Sequence, residues 1–250
     1  MKPYRAVQGL FFLLPILLLA AGCAAPQSSA ATKPNAITKP TESAAAKPQL
    51  GGSSFFISAS TLENKTLSTR IGMATAIFSR GDQCILLTSK HVVKGANVRV
   101  RPWSCISCLP TGGSCQEESF AAQVVAEGAD DVDAALLRIE KPGGCSVSTV
   151  FEAEQEPGTS ILLLGQPLEK SGAITRGIIS GYWQVKDQGL LMVSDAFELP
   201  GYSGGGVFDE HHPDHLIGVI TGRTKDQGFS YIVPISRILP LLKKLPQLVK

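Results

Sequence analysis

Three residues of this chain, met in a fixed order, could do nucleophilic chemistry together. His91 lies in Leu86-Leu87-Thr88-Ser89-Lys90-His91-Val92-Val93, Asp133 opens Asp133-Ala134-Ala135-Leu136-Leu137-Arg138-Ile139, and Ser203 stands inside Gly201-Tyr202-Ser203-Gly204-Gly205-Gly206. A serine hydroxyl attacks a carbonyl at neutral pH only when a neighbouring base takes its proton. Histidine suits that role because it accepts and returns a proton near physiological pH. A carboxylate on the other ring nitrogen fixes the tautomer. Glycines around Ser203 let the backbone turn tightly, so that the amides of Gly201 and Ser203 can face a developing oxyanion. The chemistry implied is acyl transfer to serine followed by hydrolysis.

Exclusion supports His91 as the base. Of four histidines, the other three fall within Asp209-Glu210-His211-His212-Pro213-Asp214-His215, a polar, proline-containing stretch between two apolar runs that reads as a hairpin loop. For the acid, Asp130 and Asp131 compete with Asp133. Asp131 and Asp133 share one face of an extended segment, so alternation does not separate them.

Such residues need a scaffold. The 250-residue chain opens with Lys2 and Arg5, an apolar run from Leu10 to Ala21, and Leu19-Ala20-Ala21-Gly22-Cys23. A basic start, a short apolar core and small residues before a cysteine describe a secretory signal, too short to span a bilayer. Leu-Ala-Ala-Gly-Cys resembles the lipobox of bacterial lipoproteins, which implies a signal peptide over 1–22 and lipidation of Cys23. Ala24 after it implies the periplasmic face of the outer membrane. Residues 23–50, rich in Ala, Pro, Ser, Thr and Lys, cannot bury enough to order themselves and read as a tether. The remainder, 51–250, suits one all-β domain of two halves. A net charge of +2 with no basic run gives no reason to expect nucleic acid.

Short β-prone runs separated by Gly, Pro and Asp continue from Met73–Phe78 to Phe229–Val233, which predicts antiparallel barrels or a sandwich. Only Ile235 to Val249 has helical spacing, at Ile238, Leu241, Leu242, Leu245 and Leu248, with Pro240 and Pro246 limiting its regularity. Trp103, Trp183 and Phe208 read as core or strand-face residues.

From about Gly72 to Ile235 the chain resembles the trypsin-like (chymotrypsin-fold) serine proteases, and within them the bacterial HtrA or Deg branch. Thr88-Ser89-Lys90-His91-Val92-Val93 is similar to T-N-x-H-V-V, Asp133-Ala134-Ala135-Leu136-Leu137 to D-L-A-L-L, and Gly165-Gln166-Pro167 to G-N-P. Thr175-Arg176-Gly177-Ile178-Ile179-Ser180 resembles T-x-G-I-V-S, and Ser194-Asp195-Ala196 stands where T-D-A precedes the family's serine. Leu216-Ile217-Gly218-Val219-Ile220 and Gly228-Phe229-Ser230-Tyr231-Ile232-Val233-Pro234 resemble L-I-G-I and G-F-A-I-P.

The resemblance implies two six-stranded antiparallel β-barrels, about 52–147 and 148–235, with a short C-terminal helical segment over 236–250. It selects Asp133 over Asp131 as the acid and implies a serine endopeptidase of the cell envelope acting on unfolded or exposed polypeptides, without cofactor or metal. It places Phe197, Thr221 and Gly222 at the primary specificity pocket. An aromatic rather than an acid at Phe197 argues for a small or medium apolar residue before the scissile bond. Tyr202 replaces the usual Asn or Asp beside the serine, and Gly206 stands where Pro or Ala is common. The PDZ domain of many HtrA proteins is not expected here, and trimers are frequent in the branch. A protease fold that binds peptides or a partner without cutting stays open, as does an esterase.

Six cysteines include Cys23. Cys105, Cys108 and Cys115 lie in a Gly/Ser/Pro insertion, and no second pair stands at zinc spacing. Disulfides are expected in an oxidising compartment, with Cys84, inside a strand, as the spare buried thiol. The His211, His212, His215 and Asp209 group reads as a solvated hairpin tip rather than a metal site.

Overall fold

The computed structural model describes residues 51–63, 66–103, 118–167, 172–224 and 228–248. The signal and tether expected over 1–50, Cys23, and the insertion with Cys105, Cys108 and Cys115 lie outside them.

In the first half, alternation of apolar and polar residues makes strands with one wet face. In β4 (Asn97–Pro102), Val98 and Val100 point inward while Asn97 and Arg99 face solvent. With β1 (Ser54–Glu63), β2 (Thr66–Arg80), β3 (Gln83–Thr88), β5 (Phe120–Glu127) and β6 (Ala135–Glu140) it closes a barrel in the order β1-β2-β3-β6-β5-β4. The expected barrel is present, but its strands start earlier than the sequence predicts. β1 was not expected, and β2 extends well before Met73 because Thr66–Ile71 pairs in full register with the Ser58–Glu63 half of β1. Those Ser- and Thr-rich stretches carry too little hydrophobic alternation to be seen.

The second half supplies β7 (Thr149–Val150), β8 (Ser160–Gly165), β9 (Ala173–Val185), β10 (Gly189–Ser194), β11 (Gly206–Asp209), β12 (His215–Arg223) and β13 (Ser230–Pro234). Their order is β11-β8-β9-β10-β13-β12, closed by β11 against β12, with β7 added parallel to β12. Both halves are thus closed six-stranded antiparallel barrels, the all-β fold the sequence predicts.

β3 is apolar from Cys84 to Leu87 because it faces two cores. Cys84 and Leu86 enter the interior of the first barrel, whereas Ile85 and Leu87 join a second cluster with Phe208, Val219 and Val233 of the second barrel. β6 does the same, with Leu137 and Ile139 on one side and Leu136 on the other. Each such buried Leu or Ile contributes about 1.5–3 kcal/mol. α2 (Ile235–Leu242) completes the shared cluster with Ile235, Ile238 and Leu241. The helical tail is broken after Leu242 and resumes as α3 (Leu245–Leu248), in which Pro246 sits in the first turn, where no amide is needed.

One cysteine expectation is corrected. Cys84 is buried but not spare: it is bonded to Cys145, with Cα atoms 6.1 Å apart. Its inward direction in β3 aims it at the turn that follows the paired strand β6, and that turn carries Cys145. Of the aromatics, Phe208 is core, Trp103 stacks on Phe56, and Trp183 lies edge-on to Phe229 and Tyr231.

Candidate active site

β3 ends at Thr88 and passes through buried Ser89 into a single helical turn, α1 (Lys90–Val93). Val92 and Val93 plug into the first barrel, which turns His91 outward. Arg70 of β2 fixes the turn by donating to the carbonyls of His91 and Lys94. Asp133 is presented by a tight loop ahead of β6, in which the Gly128 amide donates to the Ala134 carbonyl at 2.8 Å and Val132 and Ala134 are buried on either side.

The two side chains meet. His91 Nδ1 lies 2.6 Å from Asp133 Oδ2, and the His91 backbone N–H donates to Oδ1 at 2.8 Å. An ionised carboxylate only accepts, so Nδ1 carries the ring proton and Nε2 presents its lone pair. Thr221 of β12 also donates its hydroxyl to Oδ2, which brings the second barrel onto the same carboxylate. Burial alone would raise the Asp133 pKa; the His91 hydrogen bond and charge, helped by Thr221 and the His91 amide, outweigh it and hold the carboxyl below the ordinary aspartate value. Asp131, the rival acid, pairs instead with Arg237 at 2.7 Å.

Ser203 is carried by the loop between β10 and β11. Asp195 accepts from the Ile178 amide, Ser230 donates to the Ala196 carbonyl, and the Tyr202 amide turns back to the Leu199 carbonyl. Gly201 has φ +105°, and a Cβ there would stand 1.9 Å from the Gln166 carbonyl oxygen, so only glycine fits. The ring of Tyr202 is buried in the second barrel's core, so the replaced side chain beside the serine acts as packing.

The loop is clamped to the first barrel. The Ser203 carbonyl accepts from the Met73 amide at 2.9 Å, and Ser89 Oγ donates to the Ile220 carbonyl at 2.7 Å. A Cβ on Gly204 would lie 2.3 Å from Thr88 Oγ1 and 3.1 Å from the Ser89 amide, which places the serine loop against the segment that leads into His91. Among the described residues the amides of Gly201 and Ser203 have no acceptor, and no hydrogen bond joins Ser203 Oγ to His91. Such contacts are often loose until substrate arrives.

Other expected residues fall out differently. Phe197, expected at the pocket floor, is 58% exposed, while its neighbour Glu198 is turned inward at 6%. Thr221 is placed on Asp133, and a Cβ on Gly222 would meet nothing within 4 Å. His212 pairs with Asp209 at 3.0 Å and stacks on His215, as a hairpin tip between β11 and β12; among the described residues no group of three His, Cys, Asp or Glu side chains is placed to hold a metal ion. Sequence reasoning missed the Thr221 contact and the inward turn of Glu198. Neither residue belongs to a motif that would have marked it.

Three comparisons bear on this geometry. The trypsin-like peptidase domain family matches residues 74–219, more than half of the chain. Among solved structures the chain is similar to the HtrA-type protease AlgW with a tripeptide, and to a serine-to-alanine form of AlgW with a tripeptide. Each has a TM-score of 0.63 and 22% identity over 78% of this chain. The match spans 60% of those chains, and at that identity the likeness speaks for the fold. No curated protein matches the chain.

Proposed function

The chain belongs to the trypsin-like peptidases, and we propose that it is a serine endopeptidase working through His91, Asp133 and Ser203. Family membership makes it a protease with polypeptides as its substrate class. The observation that carries the finer reading is the His91–Asp133 pair, hydrogen-bonded at 2.6 Å and set beside the clamped Ser203 loop.

In this reading Ser203 Oγ attacks the peptide carbonyl as its proton passes to His91 Nε2, and Asp133 stabilises the imidazolium that forms. The unengaged amides of Gly201 and Ser203 hold the oxyanion. His91 then protonates the leaving amine, and water repeats the sequence on the acyl-enzyme. The envelope location rests on the N-terminal sequence: lipidation at Cys23 and the 23–50 tether would hold the domain on the periplasmic side of the outer membrane, as a monomer or a trimer. Among the described residues no helix is long and apolar enough to cross a membrane.

The test is fluorophosphonate labelling and peptide hydrolysis by the full-length chain in detergent, beside Ser203→Ala. The wild type should be labelled and the variant not, with hydrolysis falling ~10⁴-fold or more. Labelling retained in the variant would refute the assignment. A second reading, a peptide-binding protein with a silent site, is favoured by one observation: no hydrogen bond joins Ser203 Oγ to His91 among the described residues. It predicts peptide binding by a folded wild type that takes no label.

A further inference from the structure

We propose that Arg237, on the C-terminal helix α2, is a positioning residue for the reaction: its guanidinium fixes the loop that holds Asp133 against His91. This rests on the peptidase reading above. Arg237 acts not on the acid but on Asp131, two residues ahead of it, and through Asp131 on where the Asp133 carboxylate stands. The bond at stake is the 2.6 Å contact between His91 Nδ1 and Asp133 Oδ2, which tolerates little displacement.

The acid loop has an exposed tip that packing does not hold. Val132 and Ala134 are buried, but Asp130 and Asp131 face solvent. The Val132 amide donates to the Ala129 carbonyl at 2.9 Å and closes a turn over those two aspartates. The carbonyl of the same peptide unit, that of Asp131, accepts from Arg237 Nη2 at 2.9 Å, and the Asp131 carboxylate accepts from that nitrogen at 2.7 Å. The Asp131–Val132 peptide plane is thus pinned along both edges. Rotation of that plane would carry the residues that follow it, and Asp133 is the second of them. From the other side, Lys90 Nζ donates to the Ala129 carbonyl at 2.9 Å, and Lys90 adjoins His91 in α1. The loop is gripped by the base's own turn and by the helix that ends the second barrel.

The guanidinium is itself fixed. Nη1 donates to the Leu190 carbonyl at 3.1 Å and to the Gln188 carbonyl, both in the β9–β10 hairpin. Gly189 lies between them at φ +69°, and a Cβ there would stand 2.4 Å from Arg237 Nη2, so the hairpin makes room for the arginine by lacking a side chain. Ile235, Ile238 and Leu241 anchor α2 in the cluster shared by both barrels, and they hold the stem of Arg237 in place. The Arg237 side chain is 16% exposed against 57% for Asp131. An ion pair with so wet a partner contributes little stability, whereas a planar fork that reaches carbonyls of two separate segments supplies geometry.

Two measurements on the full-length chain in detergent decide the matter. The first is peptide hydrolysis by Arg237→Met, which keeps the apolar stem and removes the donors. Per folded molecule kcat should fall roughly 10- to 100-fold, the cost of a displaced catalytic group. KM should stay within about twofold, because no substrate contact is lost. On an Asp133→Asn background the same substitution should cost nothing further, since the group it positions is already disabled. An unchanged kcat with a lowered melting midpoint, or equal losses in both backgrounds, overturns the proposal. The second measurement needs no catalysis: the proton NMR resonance of His91 Nδ1–H, assigned by its loss in His91→Gln. A short bond to a carboxylate moves it far downfield and protects it from exchange. It should be sharp in the wild type and broadened or lost in Arg237→Lys, which keeps charge and stem but gives up the fork. That result supports the positioning even if the wild type takes no fluorophosphonate label, which would sink only the peptidase reading. A wild type without the resonance, or a folded Arg237→Lys in which it is unchanged, overturns the positioning, whatever the labelling shows.

Discussion

On the first barrel's side of the site, the named polar groups are answered: both Asp133 oxygens accept hydrogen bonds, His91 donates from ring and backbone, and Arg70 takes up the carbonyls of α1. On the second barrel's side, the Gly201 and Ser203 amides have no partner among the described residues. Under the proposed peptidase reading, the difference follows from what each side must do. A base has to be held in one tautomer before any substrate comes, so its partners are internal. Donors meant for a substrate stay empty until it binds, and the barrel beneath them bears the desolvation cost. Thr221 crosses over at the acid, from the receiving barrel to the holding one.

The largest break in that contrast is Asp133→Asn. The amide can donate to Nδ1, which would turn the lone pair away from Ser203, so kcat should fall ~10⁴-fold with fluorophosphonate labelling lost in parallel. The same variant has a pH signature. The folded Asp133 carboxyl is held below its unfolded value, so its stabilisation is present above about pH 4 and disappears as pH falls through the folded value. Acid unfolding of the wild type should therefore show a loss in that range that Asp133→Asn lacks. A kcat within tenfold of wild type would remove Asp133 from the mechanism.

A second contrast is covalent. The first barrel is stapled by Cys84–Cys145, and among the described residues the second barrel has no disulfide. The bond closes a loop with a sequence separation of 61, for which chain entropy gives about 4 kcal/mol. Cys84→Ala with Cys145→Ala should lower stability by about 2–4 kcal/mol in denaturant melts, and reductant should do to the wild type what the mutations do. If the site depends on a rigid first barrel, activity should fall at temperatures where Ser203 remains folded and reactive in the parent. Equal midpoints with and without reductant would show that the bond carries no stability.

How much could be read beforehand follows the range of the signal. His91 and Ser203 announced themselves through residues within a few positions: an apolar strand before one, a glycine run around the other. β3 and β6 were visible because two buried faces make short apolar runs, Cys84–Leu87 and Ala134–Leu137. Asp133 needed the family likeness, since Asp131 has the same local context and only the fold shows Arg237 claiming it. The Cys84–Cys145 bond, the β1 pairing and the Thr221–Asp133 contact were illegible for one reason: each joins segments whose proximity is decided by barrel closure, and nothing local encodes it. Glu198 escaped differently. Its stretch lies outside any strand, so no strand parity fixes which of Phe197 and Glu198 points inward.

The smallest effect expected tests the Thr221–Asp133 contact. Thr221→Val keeps the shape and the packing of β12 but removes the hydroxyl that donates to Asp133 Oδ2. The carboxylate keeps both His91 contacts, so the imidazole should hold its tautomer while losing some of its positioning. kcat should fall about tenfold, within the range of one hydrogen bond to a charged group, with KM little changed because Thr221 binds the acid and not the substrate. Thr221→Ser should restore the rate, since it returns the donor and omits only a methyl. A purely packing role would reverse that order, with Val near wild type and Ser impaired. If instead KM moves and kcat does not, Thr221 belongs to the substrate wall and not to the support of the acid.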